Sequence, residues 1–326
     1  MTIAMRHLLP KVTPQKKKLT KETSLVFIAG YDEEGSNYYR QAATYFKNKN
    51  LKVIEGLYSL EEILDWLKKY ENNLSEIHIV NHSNAWRGMA LKTTKEGERI
   101  THETLAKAIE KKQLPAVPKT ISSTTKIIFH SCGLGTNTML LSQLQNVFSN
   151  NARPQVIASP HFNVFGGKYA SHYLATPYYV FYPTAHSPGP LMLSQEMEVR
   201  YPNENIDWFT ALKTREETAL GAPYSYRFNV PVDWTFEFEA ADDIPALEDK
   251  AALLDFIKED PKLIQAILDT GIPISKFRWL AHSNGKTLHI KGKTTVLSVL
   301  KPIMNAQDSG AYLFPEVSNA TIYTTL

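Results

Sequence analysis

Short, continuously apolar runs alternate along the first half of the chain with stretches whose apolar residues recur every three or four positions. Residues 24–30 (SLVFIAG) end in glycine and have the pattern of a strand buried on both faces. Tyr39, Ala42, Ala43 and Phe46 then share one face of a helix. A short strand begins at Leu51. Ser59 and Glu62 spell a capping box opening a helix with Leu60, Ile63, Leu64 and Leu67 on one face. The third strand is 76–81 (EIHIVN), a short hairpin or loop is expected over 86–94, and Thr101 caps a helix carrying Leu105, Ala108 and Ile109. The fourth strand, 126–130 (KIIFH), precedes a helix with Leu140, Leu144, Val147 and Phe148. A fifth strand covers 155–159, a helix is expected over 164–174, and a sixth strand starts at Tyr178 (YYVFY). This alternation predicts an α/β fold, a doubly wound and mostly parallel sheet with helices on both faces.

The texture changes near Pro190. Residues 226–239 read as extended chain, and 245–270 as two helices broken at Pro261 and stopped at Gly271. Residues 276–303 read as a hairpin turning at Asn284-Gly285. The expected organisation is a basic tail over 1–22, an α/β unit over 23–190 and a C-terminal α+β region over 191–326. The uncharged segment 169–195 is too apolar for a free linker, so the last region is expected to pack on the unit before it.

Charge changes this picture little. The chain has 326 residues with 36 Lys and Arg against 33 Asp and Glu, and six of the basic residues fall in the first 21 positions, where no acid stands. The body is therefore mildly acidic, and the tail reads as a solvated leader rather than a nucleic-acid site. No apolar stretch is suited to spanning a membrane, and a cytoplasmic protein is expected. A single cysteine excludes a disulfide framework and a multi-cysteine zinc site.

That cysteine sits where chemistry is expected. In a doubly wound sheet, functional groups gather where parallel strands end at their carboxyl edge. The third strand runs into His82-Ser83, and the fourth into Ser131-Cys132-Gly133-Leu134-Gly135. Both ends share one edge, so His82 and Cys132 are expected as neighbours although 50 residues separate them. An imidazole beside a cysteine just before a helix favours the thiolate, and the two glycines let main chain approach a substrate closely. These are the parts of a thiol nucleophile with a histidine base.

The two strand ends resemble those of the caspase-like (clan CD) cysteine peptidases. In that family an apolar strand ends in His-Gly and a later one in Ala-Cys or Ser-Cys. The resemblance covers roughly residues 23–185. It implies a six-stranded sheet in the order 2-1-3-4-5-6, Cys132 as nucleophile and His82 as proton-transfer partner. It also implies an oxyanion hole made by the main-chain N–H groups of Cys132 and Ser83. Ser83 stands where the family has glycine, and His130 where caspases have the glutamine of their pentapeptide.

Caspases hold an acidic substrate side chain with a basic residue from the loop after the first strand. The matching loop here reads Tyr31-Asp32-Glu33-Glu34-Gly35, and a substrate pocket using Asp32, Glu33 or Glu34 would favour Arg or Lys. Alternatively these acids begin the next helix, where the N-terminal dipole favours them. His82, His130 and Cys132 could together approach a metal, but no fourth ligand is evident, and no metal or cofactor is expected. The expected activity is that of a cysteine endopeptidase acting on a protein or peptide through a thioester acyl-enzyme. The alternative is a catalytically inactive module of the same fold that binds a peptide or protein partner.

Overall fold

The computed structural model describes residues 23–31, 37–245 and 249–326, so the expected basic tail lies outside the described residues. In chain order the elements are β1 (Thr23–Ala29), α1 (Tyr38–Asn48), β2 (Lys52–Leu57), α2 (Leu60–Lys68), β3 (Leu74–Val80), the two-residue strands β4 (Ser83–Asn84) and β5 (Gly88–Met89), and α3 (His102–Glu110). Then come β6 (Lys126–His130), α4 (Thr138–Val147), β7 (Gln155–Ala158), β8 (Phe162–Phe165), β9 (His172–Pro183), α5 (Pro190–Arg200) and α6 (Trp208–Lys213). The chain ends with β10 (Tyr224–Glu237), α7 (Lys250–Glu259), α8 (Pro261–Asp269), β11 (Arg278–Asn284), β12 (Thr287–Pro302) and β13 (Thr324–Thr325). No described helix is long and apolar enough to cross a membrane.

The first sheet has the order β2-β1-β3-β6-β7-β13. Its first five strands are parallel, and β13 runs antiparallel to β7. Helix α2 opens as its sequence demands. Glu62 N donates to Ser59 Oγ at 3.2 Å, and the Glu62 carboxylate accepts from Tyr58 N at 2.8 Å. The apolar faces of α2, α3 and α4 bury against Leu25, Phe27, Ile77, Ile79, Ile127 and Phe129 on one side of the sheet. On the other side α1 packs Ala42, Ala43 and Phe46 against Val26, Ile28 and Val80.

Two expectations fail. The helix expected over 164–174 is instead the hairpin of β8 and β9, turned at Gly166, whose φ is +69° and whose N–H donates to Ser171 O at 2.9 Å. A Gly-Gly pair inside a helical period favours the turn over the helix. The sixth strand, YYVFY, leaves the first sheet. It is part of β9, which pairs antiparallel with β12 in a second sheet of order β10-β12-β9-β8, with β11 also on β12. A buried apolar run looks alike in either kind of sheet, so the sequence pattern could not choose between them. The place expected for YYVFY in the first sheet goes to β13.

The second sheet is covered on one face by α5 and α6, around Tyr178, Val180, Leu193, Met197 and Trp208, and on the other by α7 and α8, around Phe181, Phe228, Leu253 and Ile267. It contains strands from both sides of residue 190. Trp86, on the turn between β4 and β5, packs edge-on against Tyr179 and Phe181, and its Nε1–H donates to Thr270 O at 2.7 Å. The small hairpin at the edge of the first sheet is thus rooted in the core of the second.

The C-terminal segment closes the first sheet by burying Ile322 and Tyr323 against Ile128, Ile157 and Leu174. Ile322→Ala is expected to lower the unfolding free energy by about 2–5 kcal/mol, read as a lower urea midpoint. A loss within about 0.5 kcal/mol, as on a surface, would remove this segment from the core.

Candidate active site

The site begins with register. Strands β3 and β6 pair from Glu76–Lys126 to Val80–His130, and each chain runs two residues further to reach His82 and Cys132. The residues between are fully buried and bonded to each other. Ser131 Oγ donates to Asn81 Oδ1 at 2.5 Å, and Asn81 Nδ2 donates to His82 O at 2.8 Å. The two strand ends are thereby fastened beyond the sheet itself.

The His82 ring packs against both Tyr38 and Tyr39 of α1, each ring centroid 4.8 Å away. Its main-chain N–H donates to Tyr39 Oη at 3.1 Å. Ala90 N donates to His82 O at 2.7 Å, which makes Ser83–Met89 the non-hydrogen-bonded pair of the β4–β5 ladder. Ser83 N–H therefore points away from β5. After Cys132 the chain turns through Gly133, at φ +72°, into a single 3₁₀ turn. A Cβ on Gly135 would stand 2.5 Å from Ala158 O, so only glycine allows this turn to lie against the end of β7.

The thiol differs from expectation. Cys132 as a residue is half-buried, but its sulfur is turned against the main chain of β8, with Sγ 3.9 Å from Asn163 O, and its hydrogen bond goes there rather than to His82. Burial pushes the thiol up to about 12, only partly opposed by the backbone of Asn163 and of Cys132 itself. The helix expected to stabilise a thiolate starts only at Thr138, and Asn137 Oδ1 already caps its Leu140 N–H at 2.9 Å. At neutral pH this sulfur carries its proton.

His82 and Cys132 line one cleft of about 230 Å³, walled by Tyr38, by Phe162–Phe165 of β8 and by Tyr224, Tyr226 and Phe228 of β10. A second, more polar cavity of about 280 Å³ shares Ser83, Asn84 and Cys132 and adds His102, Glu103 and Asn137. Cys132 stands between the two. Asp32, Glu33 and Glu34, expected to bind substrate, lie outside the described residues. Among the described residues, the charged side chains lining the cleft are Arg87, Arg99 and Arg215. Arg99 Nε donates to Arg87 O at 3.2 Å, and an Arg215 Nη donates to Ser225 Oγ at 2.8 Å. Sequence reading did not single out these arginines, Asn163 or Tyr38, and it placed Tyr39 only on the apolar face of α1, because none shares a motif with His82 or Cys132. Asn81 and Ser131 carried a signal, as buried polar residues immediately before each candidate.

Behind Cys132, His130 is buried rather than turned toward a ligand. Burial, then the neighbouring His78 and His172, hold its imidazole well below the ordinary range, and burial pushes His172 down to about 3. Among the described residues no three His, Cys, Asp or Glu side chains are grouped to hold a metal ion. No family model matches this chain, and neither a curated protein nor a solved structure matches it.

Ser131→Ala is expected to cost about 1–3 kcal/mol, because it leaves Asn81 Oδ1 buried without its donor. Asn81→Ala should show a coupling with it of about 0.5–3 kcal/mol in a double-mutant cycle, and strict additivity would dissolve the stitch. The two depressed histidines set a pH dependence. Unfolding raises each toward 6.5, so the unfolded chain takes up protons first as acid is added. Their stabilising contribution is complete above pH 6.5 and is lost progressively toward about pH 3. Urea midpoints should fall through that window, and less steeply in His172→Phe than in wild type.

Proposed function

We propose that the cleft is the active site of a cysteine peptidase, as the resemblance to caspase-like enzymes implies. The observation that carries the reading is that His82 and Cys132 leave adjacent parallel strands at the same level and line one cleft. The order β2-β1-β3-β6-β7 agrees with the first five strands of a caspase-like sheet.

The chemistry starts from a neutral thiol. With a peptide carbonyl over Cys132, His82 takes the thiol proton as sulfur attacks the carbonyl carbon. The oxyanion is received by the N–H groups of Cys132 and Ser83. Collapse breaks the C–N bond, the His82 imidazolium gives its proton to the leaving amine, and a thioester remains. Water, deprotonated by His82, hydrolyses the thioester and returns the thiol. The raised thiol makes base-assisted attack, rather than a standing thiolate, the route this cleft supports.

The burial of the sulfur also favours a second reading, a module that holds a peptide in the same cleft without cutting it. A broad peptide library separates the two. Wild type is expected to cleave, Cys132→Ala to abolish cleavage, and His82→Ala to lower kcat/KM by about 10²–10⁴-fold. Cleavage unchanged in Cys132→Ala would end the peptidase reading. Binding without cleavage by wild type would establish the module.

A further inference from the structure

Strands β3 and β6 each bury a histidine that the proposed chemistry does not use. His78 and His130 are 8% and 4% exposed and lie on the same sheet face as Val80 and Ile128, under Phe46. They belong to an unbroken line of polar groups. Glu76 Oε2 is 3.4 Å from His78 Nε2, and His78 Nδ1 is 3.0 Å from His130 Nε2. His130 Nδ1 is 3.4 Å from Asn163 Oδ1, which His172 Nε2 also approaches at 3.2 Å. Asn163 in turn holds the Cys132 thiol through its main-chain carbonyl. The line crosses the sheet from a half-exposed carboxylate at one end to the cleft at the other.

Its hydrogen bonds have a direction. Asn163 Oδ1 only accepts, so His130 donates from Nδ1 and, being neutral, offers a lone pair at Nε2. His78 must then donate from Nδ1. The carboxylate beside its Nε2 also demands an N–H, so in this polarity His78 is an imidazolium. If His78 loses one proton, it keeps the N–H facing Glu76, and the rest of the line reverses. His130 then donates from Nε2, and its Nδ1 calls for a donor that Asn163 supplies only by turning its carboxamide. One atom marks this strain: Asn163 Nδ2 is buried and has no hydrogen-bond partner. Turning the amide would pair it with His130 Nδ1, and His172 would then present the lone pair of its Nε2 to the second amide hydrogen. An unpaired acceptor is easier to tolerate than an unpaired donor.

We propose that Glu76, His78 and His130 form a proton-driven relay that turns the Asn163 carboxamide, making Asn163 a positioning residue for the Cys132 thiol. Among the described residues, the charged and titratable groups facing the relay are Glu76 with Lys126 at the open end, Lys49 near His130 and His172, Tyr45 against His172, Tyr38 donating to His130 O, and Cys132 at the cleft. The Glu76 carboxylate is held below its usual range, chiefly by the His78 hydrogen bond.

The relay rests on the peptidase reading only for its use, and it is tested on the full chain without a substrate. In nitrogen-resolved imidazole spectra over roughly pH 5–9, His78 should pass from the doubly protonated form to the Nε2–H form. His130 should exchange Nδ1–H for Nε2–H at the same midpoint while staying neutral. A His130 that keeps one tautomer throughout, or becomes charged, overturns the relay. Alkylation of Cys132 by iodoacetamide should show an inflection at that midpoint. Glu76→Gln, a change at a half-exposed position, should move it down by about one pH unit because the imidazolium loses its counter-charge. An alkylation profile that Glu76→Gln leaves unmoved also overturns the proposal. Coupled titration in a chain that cleaves no peptide keeps the relay and retires the peptidase, whereas Cys132-dependent cleavage without coupled titration does the reverse.

Discussion

The register of β3 against β6 is the constraint from which the cleft follows. Both faces of the pair are committed: Ile77, Ile79, Ile127 and Phe129 face α2–α4, while His78, Val80, Ile128 and His130 face the α1 side. A slip of one residue would exchange these sets and drive imidazoles into a purely apolar core. It would also take His82 off the level of Cys132. The Asn81–Ser131 bond extends the same register past the last ladder pair, into chain that no sheet would otherwise hold.

Around this register the cleft combines groups with opposite demands. The imidazole of His82 packs against two phenol rings, and one of these, Tyr38, also donates to His130 O at 2.7 Å. Helix α1 therefore touches His82, the strand leading to Cys132 and the buried histidines together. The cleft lining carries guanidinium groups, while the sulfur is turned against the main chain of β8.

Much of this was legible in the sequence. The apolar runs marked β1, β3 and β6, the Ser59–Glu62 box marked the start of α2, and Asn284-Gly285 marked the turn between β11 and β12. His82 and Cys132 could be paired because their separation matches the offset between β3 and β6. The destination of β9 was not legible, because burial on both faces leaves no alternation to distinguish one sheet from another. The sign of the thiol's shift was hidden for a different reason. Motif position suggests a thiolate, but the direction is set by how β8 closes over the sulfur, and β8 follows a turn that read as helix. Asn163 and Arg215 reach the cleft from elements with no sequence link to either strand end.

The anchoring of Trp86 has a consequence for how the molecule comes into being. Its bond to Thr270 spans 184 residues, the bond from Ser159 Oγ to Ile322 O spans 163, and the Thr184–Thr295 pair between the middle strands of the second sheet spans 111. Contacts of such span must overcome a large loop-closure entropy before they return any stability, and they slow folding accordingly. Strands β1, β2, β3 and β6 are complete within the first 130 residues and can pair early. The far wall of the cleft, from β10 and β12, requires nearly the whole chain. On the ribosome, the cysteine and histidine therefore emerge long before there is an enclosed space for them to act in, and synthesis of the last strands is what encloses it.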